Sequence, residues 1–184
     1  TLVLDGGSGA DHLILDDSAD TAATTGTVTA TGLTGLGTVQ PLTMRDLEAM
    51  TLTLGSGADV LTVASVGIDL TVNAGAGADQ IIVGDTADTT DFAALDGNAI
   101  EIVGVGGDDT LTLTSGGAAH LALSSDVLGK GWATLGTAGR ATLGFSGLAE
   151  VKVRLGDGGD TLTLGAIAAA LDVDVAGGAD TVVV

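Results

Sequence analysis

The sequence predicts an all-β protein, a right-handed parallel β-solenoid whose coils of about 20 residues turn at glycine–aspartate corners. Three observations predict it: short segments that alternate aliphatic and polar residues, a corner motif that recurs six times, and 31 glycines in 184 residues. Alternation with a period of two is typical of half-buried strands, and glycine gives tight corners the backbone freedom they need. Stacked coils would line their aliphatic side chains into a shared core.

The composition excludes several other classes of protein. The chain has 24 acidic side chains and 5 Lys or Arg, a formal net charge of 5 − 24 = −19. This balance argues against nucleic-acid binding, because affinity for phosphate comes from basic side chains. The absence of cysteine excludes disulfides and thiolate metal sites. Apolar runs are short, so no membrane insertion is expected. With 45% hydrophobic residues, however, the chain can bury a core, unlike a disordered acidic segment.

The alternation also places individual strands. The clearest segments are 51–54, 109–114 and 161–164, with Leu on one side and Thr or Asp on the other. Residues 59–78 are predicted as one coil, with strands near Val60–Val63 and Leu70–Asn73. The longer segments 12–54 and 110–155 are each expected to hold two coils, which gives eight coils in total.

The corner motif reads Gly-x-Asp followed by alternating aliphatic residues. Its six copies end at Asp11, Asp59, Asp79, Asp109, Asp160 and Asp180. The spacings between them are 48, 20, 30, 51 and 20 residues, so the series begins again after the interval of 30. An offset of 101 residues also places Leu52 on Val153 and Leu70 on Leu171. We therefore predict two repeat units, residues 1–103 and 104–184, within one continuous solenoid.

A set of β-sandwich repeats is the alternative fold, because regular strand spacing alone would allow it. Successive strands of a sandwich reverse direction, and their turns need not be alike. The recurrence of one corner directly before one type of strand therefore favours the solenoid.

The first corner resembles a known family. Residues 6–13, Gly-Gly-Ser-Gly-Ala-Asp-His-Leu, fit the pattern of the RTX, or haemolysin-type, calcium-binding repeats, and the long unit is similar to the large repetitive surface proteins of bacteria. RTX repeats follow every nine residues, whereas these corners are 20 to 51 residues apart. The resemblance implies Ca²⁺ between coils, with the six aspartates as side-chain ligands and corner glycines as carbonyl donors. Those glycines are Gly9, Gly57, Gly77, Gly107, Gly158 and Gly178.

Elementary chemistry supports a cation at these corners beside the resemblance. Ca²⁺ takes six to eight oxygen ligands from carboxylates and backbone carbonyls, and a glycine-rich corner leaves its carbonyls accessible. Stacking is expected to bring Asp59 near Asp79, and Asp160 near Asp180. Two carboxylates about 4 Å apart repel by about 4 kcal/mol near a protein surface. The other interpretation is that each aspartate only caps its own turn.

Catalytic motifs are absent from the sequence, so no enzyme is predicted. There is no Gly-x-Ser-x-Gly elbow and no phosphate-binding loop, and His12 and His120 have no partner at a metal-ligand spacing. We expect a non-catalytic structural or adhesive module of a secreted or cell-surface protein, stiffened by Ca²⁺. It is expected to stack on neighbouring repeats, or on copies of itself into a filament. Cell-surface or matrix polysaccharide is the other expected partner.

Two alternative functions use the same fold. A carbohydrate-active β-helix, such as a lyase or epimerase, would need clustered basic side chains or tyrosine, and the chain has no Tyr. An ice-binding face would use the Thr-x-Thr segments at 27–31, 51–53, 110–114 and 161–163. Threonine is also simply a good strand residue.

Overall fold

The chain forms two mixed β-sheets of nine strands each. The computed structural model describes residues 1–37, 40–85, 87, 91–95, 97–137, 139 and 141–184. Sheet 1 has the order β1 (Leu2–Asp5), β5 (Leu42–Arg45), β4 (Gly32–Gly35), β3 (Thr25–Thr29), β7 (Val60–Val63), β9 (Gln80–Asp85), β11 (Thr110–Ser115), β15 (Glu150–Leu155), β17 (Ala170–Asp174). Sheet 2 has the order β2 (His12–Asp16), β6 (Ala49–Thr53), β8 (Asp69–Asn73), β10 (Ala99–Val103), β14 (Ala141–Ser146), β13 (Gly131–Leu135), β12 (His120–Ser125), β16 (Thr161–Leu164), β18 (Thr181–Val183).

The predicted all-β class is confirmed, and the alternation of side chains explains it. In β7, Leu61 and Val63 are fully buried, while Val60 and Thr62 are half-buried on the other face. The strands expected near 60–63 and 70–73 are present as β7 and β8. A 3₁₀ turn covers Ala93–Leu95. In the described residues, no helix has the length and apolarity needed to cross a membrane.

The inward side chains line up across neighbouring strands into aliphatic ladders. In sheet 1, Leu61, Ile81, Leu111 and Val151 occupy paired positions on four adjacent strands and are all fully buried. Inward residues of both sheets belong to one hydrophobic cluster. The core is therefore mainly aliphatic, with Phe92 and Phe145 as its buried aromatic side chains. No strand could bury its own contribution alone.

Successive strands mostly change sheet. From β6 to β11 the chain passes alternately through sheet 2 and sheet 1, and each strand pairs in parallel with the strand two places later. This path brings each corner beside the next corner on the same side, because parallel neighbours begin at the same edge of a sheet.

The prediction of parallel pairing throughout is wrong at two places. Strands β3, β4 and β5 form an antiparallel meander in sheet 1, and β12, β13 and β14 form another in sheet 2. The link between Thr29 and Gly32 has only two residues, which can join antiparallel strands but not parallel ones. Each of the segments 12–54 and 110–155 therefore holds five strands, three of them in a meander, instead of the two coils expected.

The topology of the first nine strands recurs in the last nine. If nine is added to each label, every pairing among β1–β9 reappears among β10–β18, including the meander. The two sets exchange sheets: the first places six strands in sheet 1 and three in sheet 2, and the second does the reverse. The sets join through the pairs β8–β10 and β9–β11. The predicted unit boundary, residues 103 and 104, follows β10, the first strand of the second set.

Candidate functional site

Each corner aspartate lies immediately before a strand, so the order of strands sets which aspartates meet. Asp59, Asp79 and Asp109 precede the adjacent strands β7, β9 and β11 of sheet 1. Asp160 and Asp180 precede the adjacent strands β16 and β18 of sheet 2. We call these sets the long and the short aspartate row.

Asp11 stands apart from both rows. It precedes β2, the edge strand of sheet 2, and its backbone N–H donates to Glu48 Oε2 at 2.6 Å. No corner aspartate precedes the neighbouring strand β6, which begins at Ala49. The structure therefore brings together five of the six predicted aspartates, and leaves Asp11 at one end of the sheet.

A backbone-to-carboxylate hydrogen bond joins each aspartate of the long row to the next. The N–H of Asp59 donates to Asp79 Oδ1 at 2.8 Å, and the N–H of Asp79 donates to Asp109 Oδ1 at 3.0 Å. Thr24 continues the row, because its N–H and its hydroxyl donate to Asp59 Oδ1 at 2.7 and 3.0 Å. Each of these side chains thus accepts a hydrogen bond from the residue before the neighbouring strand and does not cap its own turn.

The short row repeats this arrangement. The N–H of Asp160 donates to Asp180 Oδ1 at 3.1 Å, and the N–H of Ala119 donates to Asp160 Oδ1 at 2.7 Å. Ala119 and Thr24 occupy row positions that the Gly-x-Asp motif does not reveal. Residues 116–119, Gly-Gly-Ala-Ala before a strand, do have the shape of a corner whose aspartate is replaced by alanine.

The corner glycines allow the rows to form. A methyl group on Gly77 would overlap the carbonyl oxygen of Gly57, and one on Gly107 would overlap that of Gly77. In the short row, a methyl group on Gly178 would overlap the carbonyl oxygen of Gly158. Gly9, at the isolated corner, has no such neighbour beyond the carboxylate of Asp11. These carbonyls are therefore directed at the next corner of their own row.

The second carboxylate oxygen is the unusual feature of the site. The Oδ2 atoms of five corner aspartates are buried and have no hydrogen-bond partner; they belong to Asp11, Asp59, Asp79, Asp109 and Asp160. Four of these residues, all but Asp11, are at most 1% exposed. Burying a charged oxygen without a partner is costly, and such groups usually bind a cation or take up a proton.

The proton affinity of the rows follows from the same geometry. Burial raises the pKa of Asp79 to about 6; the Asp59 N–H opposes this rise, and the charges of Asp109 and Asp59 add to it. Burial also raises the pKa of Asp160, against the hydrogen bond from Ala119. The interior of each row therefore favours a neutral carboxyl or a bound positive charge.

The feature of the rows that fits Ca²⁺ is the set of buried carboxylate oxygens without a partner. The number of carboxylates at any one point is small. Among the described residues, no group of three or more His, Cys, Asp or Glu side chains converges in a way that could hold a metal ion. Each corner of the long row offers one buried carboxylate, so the remaining ligands of a cation there would have to be backbone carbonyls or water. Asp79, Asp109 and the glycine carbonyls of their row are the residues that would hold it.

A second polar cluster was not visible in the sequence. Asp91 accepts a hydrogen bond from the Thr137 hydroxyl at 2.6 Å and contacts His120 Nδ1 at 3.0 Å. The pKa of Asp91 lies below its ordinary value. Burial alone would raise it, but the hydrogen bonds from Thr137 and His120 favour the ionised carboxylate and outweigh that effect. Thr137 donates to the aspartate and not to the far ring nitrogen, which differs from a nucleophile–histidine–acid relay. The cluster therefore fastens Asp91 to His120 at the start of β12 and to Thr137, which follows β13.

Comparison of the chain with protein-family models, with curated proteins and with solved structures gives no match. The interpretation of the site therefore depends on its own geometry.

Proposed function

We propose that this chain is a non-catalytic structural repeat module of a secreted or cell-surface protein, wound as a right-handed β-solenoid and stiffened by Ca²⁺ at its stacked corners. The observation that carries the proposal is the row of buried aspartates whose Oδ2 atoms have no partner. A row of carboxylates at this depth is costly unless a positive charge accompanies it.

The winding is supported by the course of the chain. Between β6 and β11, consecutive strands alternate between the sheets and pair in parallel with the strand two places later. In a sandwich of antiparallel sheets, neighbouring strands run in opposite directions. In a solenoid, the two meanders would be local excursions in which the chain advances, turns back and resumes.

The calcium part follows from charge and from the liganding atoms. A backbone hydrogen bond joins each of Asp59, Asp79 and Asp109 to the next. The charges of Asp59 and Asp109 raise the pKa of Asp79, so the ionised carboxylates of the row repel one another. Ca²⁺ prefers carboxylate and carbonyl oxygens. At millimolar Ca²⁺ and a Kd of about 10⁻⁴ M, each occupied site would stabilise the fold by about 1.4 kcal/mol.

We expect millimolar Ca²⁺ to raise the melting temperature of the protein at pH 8 by about 3–6 °C for each occupied site. In the variant Asp79→Asn, most of the rise in melting temperature that comes from Ca²⁺ bound at the long row should be lost. In chelator the same variant should melt higher than the wild type, because asparagine still accepts the Asp59 N–H while a buried charge is removed. Calorimetric unfolding and isothermal titration with Ca²⁺ measure both effects.

Asp108→Asn is the matched control. Asp108 is exposed and lies next to Asp109, so this substitution removes one negative charge beside the row without touching a buried carboxylate. It should keep the full calcium shift. If the wild type binds no Ca²⁺ in titration, or if both variants lose the shift equally, the calcium proposal is wrong and an acidic structural module remains.

A further inference from the structure

The two ends of the sheets expose side chains that are buried everywhere else in the ladders. The edge strands are β1 and β2 at one end, and β17 and β18 at the other. Leu2 is 56% exposed, whereas its paired neighbour Leu42 is 7% exposed. Val182 is 48% exposed, whereas its paired neighbour Leu162 is fully buried. The core is thus open at both ends of the stack.

The middle of the molecule contains a junction between the same types of strand. There β8 pairs with β10, and β9 pairs with β11, both in parallel. By the recurrence of topology, β17 and β18 correspond to β8 and β9, while β1 and β2 correspond to β10 and β11. The internal junction therefore pairs the equivalents of β17 and β18 with the equivalents of β1 and β2.

We propose that the chain binds a second copy of itself head to tail, with β17 and β18 of one copy pairing in parallel with β1 and β2 of the next. The inference rests on the proposed solenoid winding. Each strand meets its partner within the same sheet, because β17 and β1 are in sheet 1 and β18 and β2 are in sheet 2. Both sheets would then continue without interruption across the contact.

The register of the contact can be read from the internal junction. Ile81 pairs with Leu111 there, and an offset of 101 residues places Ile81 on Val182. Leu13 takes the place of Leu111, because the same offset relates their partners, Met50 and Val151. Val182 should therefore lie opposite Leu13 of the next copy.

The same procedure aligns the strands of sheet 1. Leu70 pairs with Ile100 at the internal junction, and Leu171 and Leu2 take their places. The half-buried Leu171 and the exposed Leu2 would then bury each other. Inward aliphatic residues would thus meet in both sheets.

The corners would meet as well. At the internal junction the N–H of Asp79 donates to Asp109 Oδ1, and the equivalent residues are Asp180 and Asp11. Asp11 already places a buried, unpartnered Oδ2 at the end of the sheet. The N–H of Asp180 would donate to Asp11 of the next copy, so that the short row would continue into it.

Charge opposes this contact and makes it sensitive to salt. Asp174 and Asp5 would take the places of Asn73 and Val103, which are paired at the internal junction, and the whole chain carries a net charge of −19. Added salt screens such repulsion. Association should therefore strengthen as the ionic strength rises.

Engineered cysteines test the register directly, because the chain has none of its own. Paired residues of parallel neighbours lie about 5 Å apart, within the range that a disulfide bridges, whereas a shift of two residues exceeds it. Oxidation of the Leu13→Cys/Val182→Cys variant should give a series of disulfide-linked oligomers. The shifted pair Leu15→Cys/Val182→Cys should give at least several-fold less, with both variants melting at similar temperatures, because Leu13 and Leu15 are both part-buried against the core.

Sedimentation velocity supplies the second test. The wild type should form oligomers that grow with concentration and salt; Val182→Lys, on the inward face of β18, should abolish them, and Val183→Lys, on the outward face, should not. A wild type that stays monomeric in all conditions, or equal cross-linking of both cysteine pairs, overturns the proposal. Calcium-dependent melting of the Val182→Lys monomer tests the proposed function separately, because it needs no contact between copies.

Discussion

Gly107→Ala is expected to lower the free energy of unfolding by about 4 kcal/mol or more, which is exceptional for one methyl group. Gly107 has a φ of +121°, where side chains are strained, and its added methyl would overlap the carbonyl oxygen of Gly77. That carbonyl belongs to the backbone of the adjoining corner, so relief requires the junction between β9 and β11 to open. Urea unfolding followed by circular dichroism measures the loss.

The adjacent glycine is a matched control. Gly106 also has a positive φ, +82°, but no atom lies within 4 Å of the position that a methyl group would take. Gly106→Ala should therefore cost only the conformational strain, about 1–2 kcal/mol. Equal losses in the two variants would show that backbone conformation, and not the close approach of coils, determines the need for glycine.

In chelator, the free energy of unfolding should rise by about 2–3 kcal/mol as the pH falls from about 7 to about 4. Burial raises the pKa of Asp79 from its ordinary value of 3.8 to about 6 in the folded protein. The folded state therefore binds more protons than the unfolded state within this window, and protonation favours folding. The stabilisation is fully present below the unfolded pKa and is lost as the pH rises through 6.

Urea unfolding across this pH range measures the slope, and Asp79→Asn should largely remove it. Bound Ca²⁺ should flatten the wild-type slope as well, because a cation favours the ionised carboxylate. Below pH 4 the trend should reverse, since the lowered pKa of Asp91 makes its protonation unfavourable to folding. A variant that keeps the wild-type slope would assign the proton uptake to other groups.

The sequence predicted two of the contacts between corner aspartates, Asp59 with Asp79 and Asp160 with Asp180, because a spacing of 20 residues equals one passage through both sheets. It did not predict that Asp109, 30 residues after Asp79, joins the long row. It could not predict which atom each carboxylate contacts. The Oδ1 atom of Asp79 accepts the N–H of Asp59 from another corner, a contact set by the pairing of β7 with β9. Asp79→Ala would therefore remove a structural hydrogen bond even without metal, and asparagine is the cleaner substitution.

The meanders escaped prediction for a different physical reason. Residues 25–45 alternate apolar and polar side chains as the parallel strands do, and period-two alternation carries no information about strand direction. The two-residue link between Thr29 and Gly32 was the available signal. Thr24 and Ala119 were missed because the N–H they contribute to the rows belongs to the backbone, which any residue type can supply.

The exchange of sheets between the two nine-strand sets has a consequence for any longer array built from them. A meander that widens sheet 1 in one set widens sheet 2 in the next, so a fibre of such sets would carry its broadened regions on alternating sides. A receptor or ligand approaching from one side would therefore meet a given feature only at every second set. The functional period of the fibre would be twice the period of its sequence.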